Sequence, residues 1–480
     1  MCLGDDPTCA AFAEHRLRYR RDMEPERRAF LKSGFVATGG AAAWAAGGLS
    51  LVSPALAEVS AQTAVGKAAH YHLPASAETV HWGYFSKLLK PQIEIASGDF
   101  VTIETLTHHA NDDAERMVAG DPGAESVFLW TKDRKAVSRR GAGPDDAKLG
   151  PGGGLGVHIC TGPVAVRGAE PGDVLEVRIL DVAPRPAADP KFKGLTFGSN
   201  AAAWWGYHYN DMLEGQKREV ITIYEVDATG GRDWAKAVYS FRWPGVTDPN
   251  GVAHPTIDYP GLPVDHTKTE RRFDVLKGIR VPIRPHFGTM GLAPSEADRV
   301  NSIPPSYTGG NIDNWRIGKG ATLYYPVAVP GALFSVGDPH ASQGDSELCG
   351  TAIECSLTGT FQFILHKKAD LAGTSLEALD FPMIETKDEW VLSGFSYPNY
   401  LRDLGADAQD AIFSKSSIDL AMRDAFRKMR QFLMHAKGLT EDEAISLMSI
   451  AVDFGITQVV DGNWGVHAIV KKSIFSERTV

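Results

Sequence analysis

Gly168-Ala169-Glu170-Pro171-Gly172-Asp173-Val174-Leu175-Glu176-Val177-Arg178-Ile179-Leu180 is the stretch on which the fold class turns. It follows Val164-Ala165-Val166, and alternation on either side of a Pro-Gly-Asp corner predicts two strands joined by a tight turn. The same grammar recurs outward. Thr79-Val80-His81-Trp82-Gly83 and Phe100-Val101-Thr102-Ile103-Glu104 read as short strands, with Ser97-Gly98-Asp99 as a turn before the second, and Glu219 to Val226 reads as a strand farther on. The 480 residues include 49 glycines and 28 prolines, which breaks the chain into short elements rather than a helix bundle. We expect a mainly β domain over 78–400, with an insertion at about 183–275, and a C-terminal unit over 401–480. In that unit Ile418, Met422, Phe426, Met429 and Leu433 predict a helix from Ser416 to Lys437 stopped by Gly438. Thr440-Glu441-Asp442-Glu443 is a capping box for a second helix reaching Ala451, and the runs flanking Asp461-Gly462-Asn463-Trp464-Gly465 predict a closing hairpin.

The N-terminus reads as an address. Arg27-Arg28-Ala29-Phe30-Leu31-Lys32, a weakly apolar run from Ser33 to about Val52, and Ala55-Leu56-Ala57 match a twin-arginine signal with a small-x-small cleavage site. Residues 1–57 are assigned to that signal and 58–77 to a linker, with Met23 as the expected start. The expectation is export by the twin-arginine machinery into the periplasm or another extracytoplasmic space. Of five cysteines, Cys160, Cys349 and Cys355 lie beyond the signal, too few for a disulfide framework in a chain with this much core-forming material. A net charge of −10 disfavours nucleic acid as a partner.

Chemistry concentrates between 338 and 354, where Asp338-Pro339-His340, Asp345, Glu347 and Glu354 place one imidazole among four carboxylates. Asp338 and His340 are two apart, so on a strand end they share a face, the spacing a metal pair needs. Glu347 could then serve as general base on a bound water. In Gly309-Gly310-Asn311-Ile312-Asp313, Asp313 could ligate or orient while the glycine backbone approaches substrate; a plain turn is the alternative. His108-His109 could bind a metal or lie idle on the surface. His158 at a strand end and His286 on a glycine-flexible loop could be site residues or hydrogen-bonded core histidines. Trp204, Trp205, Tyr207, Tyr209, Trp234 and Trp243 could be core and loop packing or the wall of a substrate pocket. The chain has no Walker loop, no Gly-x-Ser-x-Gly elbow and no His-Glu-x-x-His, so nucleotide use and the serine-hydrolase elbow lose ground.

These motifs, with Gly162-Pro163 behind His158, Gly98-Asp99 before Glu104, and Ala451-Val452-Asp453 to His467, resemble the acetamidase/formamidase family across most of 79–475. The resemblance implies a β-sandwich-like fold with the C-terminal helix pair and hairpin, hydrolysis of small linear amides to acid and ammonia, a bound divalent metal, and homo-oligomers. On this chain the residue readings make Asp338, His340, Asp313 and His109 the expected metal ligands, Glu347, Glu354 and His158 the expected catalytic groups, and Asn311, Gly310 and His286 the expected substrate-binding residues. Carboxylate and imidazole ligands favour zinc, with calcium as the alternative. Two departures stand out: Ser346 where the family has Gly, and Thr107-His108-His109 where it often has an Asp. Rival readings are a catalytically inactive periplasmic binding or structural protein on the same scaffold, and Cys349 as a nucleophile.

Overall fold

The structure, a computed structural model, describes residues 68–128, 155–209, 211–213, 217–248, 251–257 and 261–475. The 1–57 signal and the first half of the 58–77 linker, residues 58–67, thus lie outside the described residues. Two large sheets share one core. A nine-stranded sheet runs, in spatial order, His70–Leu73, Phe100–Glu104, Leu357–His366, Val174–Pro184, Thr322–Pro326, Met383–Glu385, Glu389–Phe395, Gly465–Lys471 and Val452–Gln458. An eleven-stranded sheet is built around Phe334–Ser342, which pairs with Ile159–Val166, His286–Gly291 and Ile353–Glu354.

The sheets meet through inward side chains that the alternation specifies. Phe361 and Phe363 from one pack on Phe287 and Phe334 from the other, with ring centroids 5.1–5.9 Å apart in the closest pairs. The predicted corner forms as read. Gly172 takes φ +93, and the Asp173 carboxylate accepts the backbone N–H of Glu170 at 2.9 Å. Val174–Pro184 then runs eleven residues through the middle of its sheet.

The expected linker and the expected insertion both contribute strands to the sheets. The 58–77 linker contains a strand, His70–Leu73, which pairs in parallel with Phe100–Ile103. The 183–275 insertion does not stand apart: Leu195–Ala202, Val220–Asp227 and Trp234–Arg242 continue the eleven-stranded sheet beyond Ile353–Glu354.

The C-terminal helices run Ile418–Lys437 and Glu441–Ala451, with Gly438 at φ +65 ending the first and the Thr440–Glu443 capping box starting the second. The face that docks is Ala421, Ala425, Met429, Phe432 and Leu433; Met422 and Phe426, expected on it, are half out in solvent. Small residues win the buried face because the helix lies close on Gly394, where an added Cβ would stand 2.2 Å from the Ala425 nitrogen. The closing hairpin pairs Val452–Gln458 with Gly465–Lys471 as expected.

Candidate active site

The strand Phe334–Ser342 carries Asp338 and His340. Its register sets His340 opposite Glu354 on one side and His286 on the other. His158 immediately precedes the paired strand Ile159–Val166, and Asp313 follows Gly309–Asn311. The loop after Phe100–Glu104 brings in His108 and His109, and the tip of the closing hairpin brings in Asp461. These segments form the floor of a cavity of about 640 Å³. Gly288 makes the floor possible. A Cβ there would fall 2.3 Å from both an Asp313 and an Asp338 carboxylate oxygen.

Asp338 is the hub. Its carboxylate lies 3.3 Å from His340 Nε2, 3.7 Å from His158 Nε2 and 3.7 Å from His108 Nδ1. His340 Nε2 is also 3.2 Å from Glu354 Oε1, and its Nδ1 is 3.9 Å from Asp313. Burial alone would raise Asp338, but the surrounding imidazoles, His340 first, hold it well below the usual carboxylate range. Burial opposes the charge on His340 too, yet Glu354 and Asp338 push that imidazole well above its ordinary value. Burial and neighbouring carboxylates push Asp313, Glu347 and Asp461 far up. Burial lowers His108 and His158, leaving neutral rings.

Outer contacts fix the rings. Ser302 Oγ bonds His158 Nδ1 at 2.9 Å, and Asp112 bonds His109 Nδ1 at 2.9 Å while accepting from Ser199 Oγ. Thr289 Oγ1 donates to Asn311 Oδ1 at 2.7 Å.

Of the residues singled out in the sequence, Asp338, Asp313, Glu347, Glu354, His158, His109 and Asn311 line the cavity, and His340 lies beneath them against Asp338 and Glu354. Two substrate-facing readings are corrected. His286 is not on a flexible loop. It opens the strand His286–Gly291, fully buried, with Nδ1 at 2.5 Å from the Arg284 carbonyl and Nε2 at 2.8 Å from Gln343 Oε1. Its ring packs edge-on against His340, so it positions that residue. Gly310 is a strand residue paired with Met290, glycine there serving a φ of +89, and it is not among the residues lining the cavity. Cys160, Cys349 and Cys355 are all free thiols, and Cys349 is raised by burial and by Glu347, the reverse of what activates a thiol nucleophile.

Sequence reasoning missed Asp461, taken only as a turn residue, and ranked His108 no higher than its neighbour. His108, not His109, completes a group with His158 and Asp338 whose ligand atoms lie within 4.8 Å of one another. Asp313–His340–Glu347 and Asp338–His340–Glu354 form two more such groups. Among the described residues, His108 Nδ1, both Asp313 oxygens and Glu354 Oε2 are buried without a hydrogen-bond partner. Buried carboxylates this close, with bare oxygens, fit a cation far better than a dry core, so the residues present suit a divalent metal.

Residues 155–477 match a sequence model of the Acetamidase/Formamidase family. Over 222 residues the chain is 35% identical to an acetamidase of Mycolicibacterium smegmatis, covering 41% of this chain and 50% of that protein. It is 30% identical over 213 residues to a formamidase of Methylophilus methylotrophus, covering 41% and 49%. The chain thus spans about half the length of the curated relatives it matches. In fold it is similar to the acetamidase of Yersinia enterocolitica (TM-score 0.56, 22% identity, 86% of this chain and 95% of that one). It is also similar to that of Bacillus halodurans (TM-score 0.55, 21% identity, 85% and 100%).

Proposed function

The chain belongs to the acetamidase/formamidase family, and on that premise we propose that it hydrolyses the C–N bond of a small linear amide and releases ammonia. The observation that supports this most is the convergence of Asp313, Asp338, Glu347, Glu354 and Asp461 with His108, His158 and His340 at the floor of one cavity. An inert scaffold gains nothing from so costly a cluster.

In this reading His108, His158 and Asp338, with His340, Glu354 and Asp313 beside them, would hold a divalent cation. The mixed imidazole–carboxylate set favours zinc, and calcium is the alternative. When bound, such an ion polarises a carbonyl and makes water acidic. The chain's own groups do the rest. Asn311, its Oδ1 occupied by Thr289, has its side-chain N–H left to donate to the amide oxygen. Glu347 takes a proton from the attacking water and returns it to the departing nitrogen, with Glu354 as the second carrier.

The test is ammonia release from formamide, acetamide and propionamide, with and without chelator. Glu347→Ala should lower kcat by at least about a hundredfold, in line with loss of a general acid–base group, while thermal unfolding stays near wild type. Wild-type turnover in that variant defeats the assignment. The proposal extends to location. The twin-arginine pattern at 27–32 supports work in the periplasm, family membership supports a homo-oligomer, and Arg27→Lys with Arg28→Lys should retain precursor in the cytoplasm.

A further inference from the structure

The cavity is far larger than the amides just named require. Acetamide has four non-hydrogen atoms, whereas about 640 Å³ is in the range that takes a drug-sized ligand. What fills the difference is an aromatic wall above the acidic floor. Trp204, Trp205 and Tyr207, on the turn after Leu195–Ala202, face Met212, Phe413 and Trp464 around the same cavity. The wall holds itself in shape: Trp204 and Trp205 meet at 5.7 Å, edge to face, and Tyr207 meets Trp464 at 6.0 Å. Trp205 is wedged over Gly350, where any Cβ would stand 2.2 Å from the indole. The Trp204 indole N–H is anchored on the Ile257 carbonyl at 3.0 Å.

These side chains are unusually exposed for their type. Trp204 is 46% accessible, Tyr207 42%, Phe413 48% and Met212 56%. Large apolar groups gathered in the open around a catalytic cavity mark a binding surface. The charge of the lining narrows the ligand. Among the described residues it includes Asp211 and the floor carboxylates but no lysine or arginine, so nothing there offsets an anionic substituent.

We propose that the wall is a specificity subsite, and that the preferred substrate is an uncharged primary amide carrying an aromatic ring on its acyl side. This rests on the amidase reading above and names the substrate class of that site. The ring stacks among Trp204, Trp205, Tyr207 and Trp464, while the carboxamide reaches the floor. The reaction stays the same: water adds to the carbonyl carbon, the C–N bond breaks, and the nitrogen leaves as ammonia with the proton carried by Glu347.

The experiment compares phenylacetamide, acetamide and succinamate on the full mature protein, in wild type, Tyr207→Ala and Phe413→Ala. Ammonia release gives kcat/KM, and calorimetric titration of each amide gives Kd. Phenylacetamide should exceed acetamide in kcat/KM by about tenfold or more, the scale on which apolar pockets discriminate. Succinamate should be the poorest, and both variants should shrink the phenylacetamide-to-acetamide ratio several-fold. Equal kcat/KM for the two neutral amides, or ratios unmoved by both variants, overturns the subsite while the amidase reading stands. If no amide releases ammonia the amidase reading fails instead. The subsite is then judged by Kd alone: tighter phenylacetamide binding that weakens in both variants upholds it, and equal binding removes it.

Discussion

At the residue scale the site is strained. Asp313, Asp338, Ser346 and Glu347 all have positive φ, between +45 and +84, a region costly for side chains. Three of the four belong to the acidic floor, so backbone strain and electrostatic repulsion are stored in the same few residues. Ser346 is the odd one. Its φ of +84 is glycine-like, which accounts for the glycine its resemblance leads one to expect there. Ser346→Gly relieves about 1–2 kcal/mol of left-handed strain against about 0.5–1 kcal/mol of added chain entropy. A net gain of about 0.5–1 kcal/mol is expected in urea unfolding, and a loss of stability contradicts the strain argument. Gly288→Ala should do the opposite. Its methyl would displace the Asp313 and Asp338 carboxylates, so ammonia release should fall by about tenfold or more with a lower melting temperature. His81 gives a pH signature away from the cavity. Burial lowers it to about 4, and its ring lies between the Tyr84 carbonyl and Ser335 Oγ. The folded protein therefore keeps it neutral between about pH 6.5 and pH 4 while the unfolded chain takes up a proton. Stability is full above that window and falls as pH drops through it, by up to about 1.4 kcal/mol per unit. His81→Gln should flatten unfolding free energy against pH between 5 and 6.5 relative to wild type, and identical slopes rule the linkage out.

At the element scale, the cavity's imidazoles and carboxylates are delivered by strand ends and turns whose positions the sheet registers dictate. The long helix shows how finely this is tuned. It lies on Gly394 of the strand Glu389–Phe395, whose next neighbour is the hairpin strand Gly465–Lys471. Gly394→Ala should push Ala421 and Ala425 away and cost about 2–3 kcal/mol, and an unchanged melting temperature shows the helix is free to shift. What the sequence reveals here is local. Period-two runs and a Pro-Gly-Asp corner make Val174–Pro184 legible, and the capping box at Thr440 reads directly because both partners lie within one turn. The i, i+2 spacing makes Asp338 and His340 legible as a pair sharing a face. Illegible features depend on partners distant in sequence. Nothing near Asp461 says that its hairpin tip reaches Asp313, 148 positions earlier. Nothing near His286 says that Gln343 and His340 bury its ring. The helix face departs from the expected stripe at two positions for a related reason. Met422 and Phe426 score as apolar, but only alanines fit where backbone meets backbone.

At the scale of the whole molecule, the two sheets and the C-terminal unit close around a concentration of negative charge. Five floor carboxylates share one buried cavity, and a chain of net charge −10 offers no compensating excess of cations. The folded state is therefore worse off without a bound cation than with one, whereas the unfolded chain, its carboxylates dispersed in water, is nearly indifferent. By linkage, a divalent ion at a hundred times its dissociation constant adds about 2.7 kcal/mol to the folded state. Dialysis against a chelator should lower the melting temperature by several degrees, and one equivalent of zinc should restore it. If calcium restores it and zinc does not, the carboxylates of Asp313, Glu347 and Glu354 outweigh the imidazoles of His108 and His158 in choosing the ion. Asp338→Asn removes the hub charge and should abolish the zinc-dependent shift, even if the metal-free variant melts higher than metal-free wild type because one repulsion is gone. That reversal separates a metal site from a merely acidic pocket. Coincident melting of chelated and zinc-loaded wild type means that protonation of Asp313, Glu347 and Asp461, rather than a cation, is what keeps the floor folded.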